Sequence, residues 1–179
     1  MPAHLLLTAP GLAQTLAAIN QSRELLLEHS MGVLGAWALL NLLVSGYFVA
    51  RTDARHEQHY LHQMNVGWNF VNAMLAVAGI LRAHPNYVAG LSLADSLVGQ
   101  FSTEKILLLN VGLDVTYIAC GSWLRARAAS ARRLPQRLQG FGRSLWLQGG
   151  FLFLFDLGFY LRYHPFAAEL LRLLPDVKS

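Results

Sequence analysis

Four apolar runs divide the chain, at about residues 30–50, 61–81, 106–124 and 144–161. Each is close to the ~20 residues that an α-helix needs to cross a hydrocarbon layer of about 30 Å. Inside the runs the polar residues recur at helical spacing. In the second run His62, Asn65, Asn69 and Asn72 follow at steps of three, four and three, continued by the small Ala76 and Gly79. Phe70, Met74, Val77 and Leu81 occupy the other side. In the third run Asn110, Asp114, Tyr117 and Gly121 share a face, and in the fourth Gln148, Leu152 and Asp156 fall on one line. The first run has no charge over its 21 residues, and Asn41 is its one strongly polar side chain. This spacing predicts an all-α, polytopic membrane protein: a four-transmembrane-helix bundle whose polar stripes face inward.

The flanks carry weaker patterns. Leu12, Leu16, Ile19 and Leu26 recur at helical spacing through 10–29, while Gln14, Gln21, Arg23, Glu24 and Glu28 interrupt any membrane-length run. That predicts an N-terminal amphipathic helix, lying on the membrane or packed on the bundle mouth. Leu91, Ala94, Leu97, Val98 and Phe101 predict a short surface helix between the second and third spans, after a turn at Pro85-Asn86. Ser102 is a candidate N-cap for the third span. A short apolar helix is expected over 166–174, ended by Pro175. The whole chain reads as a single membrane domain, 1–29 and 162–179 being peripheral. No Lys or Arg precedes the short apolar run near the N-terminus, so a cleaved signal peptide is not expected.

Composition agrees with that class: 54% of the residues are hydrophobic and 13% charged, too apolar for an ordinary soluble domain. Cys120 is the single cysteine, which excludes an internal disulfide or a thiolate zinc cage. Its place within the third run suggests a buried packing thiol. The net charge of +4 comes mainly from 125–143, where Arg125, Arg127, Arg132, Arg133, Arg137 and Arg143 occur without an acid. Trp123 and Trp146 bracket this segment, as interfacial tryptophans do. A basic connection between two spans points to anionic lipid rather than nucleic acid. The positive-inside rule then places 51–60 and 125–143 in the cytoplasm and both termini outside an inner (plasma) membrane.

An ionisable group deep in a bilayer costs ~2.5–3.5 kcal/mol on insertion scales, so Asp114 and Asp156 should face protein or water. At ~1.5 Å per residue, Asn41, Asn72, Asp114 and Asp156 all fall some 12–18 Å from a span boundary, as a shared polar centre would require. No Lys or Arg lies within the four runs. The acids are therefore protonated, or bound to a cation, or satisfied by hydrogen bonds from Asn, Gln, Tyr117 and water. An oxygen-rich set suits a hard cation rather than a thiophilic metal. The plain alternative is that the Asn and Gln residues are interhelical hydrogen bonds, worth about 0.6 kcal/mol each.

Other chemistry is poorly supported. His56, His59 and His62 step by three and cannot share one helical face, and HExxH is absent. Of the three, only His62, on the stripe of the second span, stays a candidate metal ligand. Gly112-Leu113-Asp114 lacks the glycine directly before the acid that intramembrane aspartyl proteases carry. No phosphate loop, nucleophile elbow or cofactor fingerprint occurs, so the sequence leaves any cofactor unidentified.

Three segments resemble a family of small bacterial four-span membrane proteins without an assigned function. They are His62 to Asn69, Glu104 to Ile106 with Asn110 and Asp114, and Gly142 to Ser144 with Gln148 through Asp156. The resemblance covers roughly 30–162; it implies four spans and carries no activity. The expected role is therefore that of an integral membrane protein, with enzymatic activity the less expected reading. Such a protein would bind or transport a cation, proton or small ligand at a midplane centre. The candidates are Asn41, Asn65, Asn69, Asn72, Asn110, Asp114, Tyr117, Gln148 and Asp156. The other reading is a structural or accessory subunit whose polar residues only pack helices. Four spans are few for a monomeric carrier, so a homo-oligomer or a partner membrane subunit is expected.

Overall fold

A computed structural model describes residues 9–83, 88 and 90–174. The turn expected at Pro85-Asn86, the N-terminal apolar run and the stop at Pro175 lie outside the described residues. Among these are five helices: α1 (Ala9–Arg51), α2 (Glu57–Arg82), α3 (Leu93–Ala128), α4 (Pro135–Tyr163) and the short α5 (Pro165–Leu171). The four long helices are each long and apolar enough to cross a membrane, the arrangement of a multi-pass membrane protein.

The helices are longer than the apolar runs. α1 joins the amphipathic stretch 10–29 and the first span into one rod of 43 residues. Nothing between them breaks a helix: Pro10 is the last proline before Pro85. At ~1.5 Å per residue the rod is about 64 Å long, twice the hydrocarbon thickness. The amphipathic segment thus stands on the bundle mouth instead of lying along the bilayer. Likewise the short helix expected near 91–101 is the first part of α3. Its cap is Ser92, not Ser102: Ser92 Oγ accepts from the Asp95 amide at 3.1 Å and donates to the Asp95 carboxylate at 2.6 Å. α4 begins at Pro135, well before the fourth apolar run, with proline in its first turn. The arginine segment is therefore mostly helical, with 129–134 as its connection. Leu134, just ahead of Pro135, takes a left-handed conformation (φ 49°).

Burial is inverted relative to a water-soluble protein. Asn65, Asn69, Ser96, Gln100, Ser144 and Gln148 are fully enclosed, whereas Leu39, Leu43, Leu81, Val98 and Leu154 are exposed. Lipid is the medium that would cover such a surface. Cys120 is also exposed, not buried as its position in an apolar run suggested, because the inward face of α3 is taken by Asp114 and Gly121.

α4 is the spine: it packs against both α2 and α3, and α1 packs chiefly on α2. Glycines permit the closest crossings. A Cβ on Gly121 would stand 2.7 Å from the carbonyl oxygen of Gly142, and one on Gly142 would stand 2.7 Å from that of Gly121, so α3 and α4 touch backbone to backbone. α2 and α3, by contrast, barely approach one another.

Candidate functional site

The gap left between α2 and α3, backed by α4, is a cleft of about 650 Å³. Asn72, Asn110, Asp114, Tyr117 and Asp156 all line it. Asp114 (2% exposed), Asp156 (6%) and Asn72 (3%) are buried polar groups at its back. The helical repeat puts Asn110, Asp114 and Tyr117 on the α3 face that meets α4. Gly149 lets that face come close: a Cβ there would lie 3.1 Å from the Asp114 carbonyl oxygen and 3.2 Å from Tyr117 Cβ. The Asp114 and Asp156 carboxyls consequently face each other at close range, and the Asn110 amide lies beside Asp156 in the lining. Asp114 Oδ2, Asn72 Nδ2 and Trp68 Nε1 are buried and have no hydrogen-bond partner. Arg82, exposed at the end of α2, is the basic residue of the lining. At one end Trp68 and Tyr117 meet edge to face, with ring centroids 4.7 Å apart.

Three other expected residues belong to a separate layer, displaced along α2 and α4 toward the 51–60 connection. Asn65 Oδ1 accepts from Ser144 Oγ at 2.5 Å and from Gln148 Nε2 at 3.2 Å. Gln148 Oε1 in turn accepts from Trp37 Nε1 at 3.1 Å. Asn69 donates to the Asn65 carbonyl at 2.8 Å. This network ties α1, α2 and α4 together and does not line the cleft. Asn41 donates to the Trp37 carbonyl of its own helix at 2.9 Å. Only Met31 and Leu34 of α1 reach the cleft, so its polar lining comes from three helices, not four. His62 stacks on Phe48 (4.8 Å) with Nδ1 3.2 Å from Ser45 Oγ. Among the described residues no group of three His, Cys, Asp or Glu side chains is placed to hold a metal ion.

A third polar layer, missed from the sequence, sits beyond the apolar run of α1. Arg23 is buried and donates to Tyr163 Oη (3.2 Å), Asn20 Oδ1 (3.2 Å) and the Ser96 carbonyl (3.0 Å). Gln100 donates to Glu104 (2.8 Å) and to the Tyr163 carbonyl (3.0 Å). His164 Nδ1 lies 3.1 Å from Glu104 Oε1. Steps of four from Ser96 through Gln100 to Glu104 were the available signal, since they run into the face that carries Asp114. On the opposite side, Arg143 pairs with Glu57 and Arg125 covers the Trp146 ring at 4.3 Å. Arg127, Arg132, Arg133 and Arg137 stay exposed.

Residues 33–157 match a family of unknown function, DUF6992. Comparison with curated proteins and with solved structures gives no match.

Proposed function

Since the chain belongs to the DUF6992 family of unknown function, its role has to be read from the cleft, and we propose that it is a membrane protein that binds one small positive charge between Asp114 and Asp156. The observation that carries this is the pair itself: two buried carboxyls from adjacent helices face one another. Two carboxylates so placed repel, and a proton, metal ion or ammonium group between them removes the repulsion. A scaffold would pack more cheaply with Asn at both positions. The structural reading keeps the Asn65–Gln148–Ser144–Trp37 layer, whose hydrogen bonds are largely satisfied and lie off the cleft.

The test is the isosteric pair Asp114→Asn with Asp156→Asn. Without bound cation, near neutral pH, the double variant should melt at the same temperature as the parent or a few degrees above it. A like-charge repulsion of up to about 4 kcal/mol is removed, for charges ~4 Å apart at an effective dielectric near 20. That gap should narrow on acidification, as the parent's carboxyls are neutralised. Among sodium, potassium, calcium and ammonium chlorides, at least one should stabilise the parent and leave the variant unmoved. A variant that melts well below the parent, or equal responses to every salt, would make the pair helix glue.

We further propose the topology that places the arginine connection in the cytoplasm and the termini outside, in the cell's inner membrane, with the exposed arginines against anionic lipid. In a Cys120→Ser background, Ser130→Cys should be shielded from an impermeant thiol reagent in intact cells, while Gly90→Cys should label. The reverse pattern would invert the orientation.

A further inference from the structure

The cleft is larger and more lipid-facing than a bare ion requires. It opens sideways between α2 and α3, and its lips Val71, Leu75, Ile106 and Leu113 are exposed apolar side chains. A hydrated ion has no favourable path through such a mouth. Arg82 stands in the lining at the end of α2, where it repels a cation arriving along the helix axis from water. The volume of about 650 Å³ falls in the range of roughly 300–1,000 Å³ that holds drug-sized organic ligands. A largely apolar cleft with a few convergent polar groups is the usual form of such sites.

The polar groups define the ligand's chemistry. Asp114 Oδ2 is buried and accepts no hydrogen bond, so the site lacks a donor there. Trp68, Tyr117 and Phe155 bring aromatic rings into the same lining as the acids, a favourable surround for an organic cation. Asn72 Nδ2 and Trp68 Nε1 are donors without acceptors, which an oxygen substituent near the cationic nitrogen would satisfy. Among the described residues the acids here are two, not a group of three His, Cys, Asp or Glu side chains, which matches one ammonium better than a many-ligand metal site.

From this arrangement we infer that the cleft takes a lipophilic organic amine from the bilayer, its ammonium donating to Asp114 and Asp156 and its apolar body lying against Trp68, Leu75 and Phe155. This rests on the positive-charge reading above and names the ligand class for the same site.

Two probes of one shape decide it: 1-adamantylamine, cationic at neutral pH, and 1-adamantanol, its neutral counterpart. Each is titrated calorimetrically into the full chain in lipid nanodiscs, with empty nanodiscs as the partition control. The amine should bind saturably, tighter than the alcohol by roughly tenfold or more, about 1.4 kcal/mol. That preference should vanish in the Asp114→Asn, Asp156→Asn protein. Leu75→Trp, which fills the lip from an exposed position, should weaken the amine. Equal binding of amine and alcohol would reduce the cleft to an apolar pocket and overturn the inference. Unchanged amine binding in Leu75→Trp would overturn the placement of the apolar body. If ammonium chloride stabilises the parent alone but the amine does not bind, the inference falls and the charge-binding reading stands. If the amine does not bind and none of the four chlorides stabilises the parent alone, both fall.

Discussion

Gly140→Val is expected to abolish the folded bundle. A Cβ at this position would stand 2.8 Å from the Leu61 amide nitrogen and 2.8 Å from Tyr60 Cβ, and would also strike the Glu57 carbonyl oxygen. These are mostly backbone atoms at the start of α2, so no rotamer change relieves the clash. Overpacking a core costs ~1–3 kcal/mol where side chains can adjust; here α2 must move off α4. That displacement also breaks the ion pair of Arg143 with Glu57 and shifts the Asn65 layer. The expected result is loss of a monodisperse peak in size-exclusion chromatography and of any cooperative melt. Gly46→Val and Gly67→Val, where a Cβ meets nothing within 4 Å, are the controls and should fold. A well-folded Gly140→Val protein would show that the α2–α4 crossing is looser than described.

Arg23→Leu should lower the melting temperature by on the order of 10 °C. Arg23 bridges α1 to α3 and α4 through the Ser96 carbonyl and the Tyr163 hydroxyl. Hydrogen bonds to charged groups contribute ~1.5–3 kcal/mol each, and each kcal/mol moves the midpoint of a chain this size by about 2–4 °C. Arg23→Lys should recover less than half of the loss. A single ammonium cannot reproduce the fork that reaches Asn20, Ser96 and Tyr163 together. An Arg23→Leu protein as stable as the parent would mean that the Arg23 layer contributes nothing to the fold.

What the sequence made legible was what hydropathy and periodicity encode. The four long helices, the inward stripe of α2 and the face shared by Asn110, Asp114 and Tyr117 all follow from spacing. The helix ends did not, because an apolar run reports the thickness of the medium, whereas a helix continues until a cap or breaker stops it. Hence α1 runs through His29 and Ser30, and Ser92 caps α3 ten residues before the expected Ser102. Within the site, depth counts brought Asn72, Asp114 and Asp156 together but also gathered in Asn41. Depth fixes height along the bundle normal and leaves the azimuth open; Asn41 sits at a similar height and turns to its own helix. Trp68 and Gly149 carry no signal in the sequence for a related reason. One looks like an ordinary aromatic and the other like an ordinary small residue until a neighbouring helix shows what each is against.

The uninterrupted length of α1 has a mechanical consequence. With no proline between Pro10 and Arg51, the helix has no built-in hinge of that kind, and it behaves as a lever through the bilayer. Arg23 and Trp37 are about 21 Å apart along it, one gripping α3 and α4 in the third polar layer, the other held by Gln148. A torque applied at either grip is delivered to the other. α2 and α3 have no such coupling to each other, touching through little more than the Trp68–Tyr117 ring contact. Backbone packing runs from α1 to α2, α4 and α3 in turn, so the bundle should give most readily where α2 and α3 are not packed together, at the seam above the two aspartates.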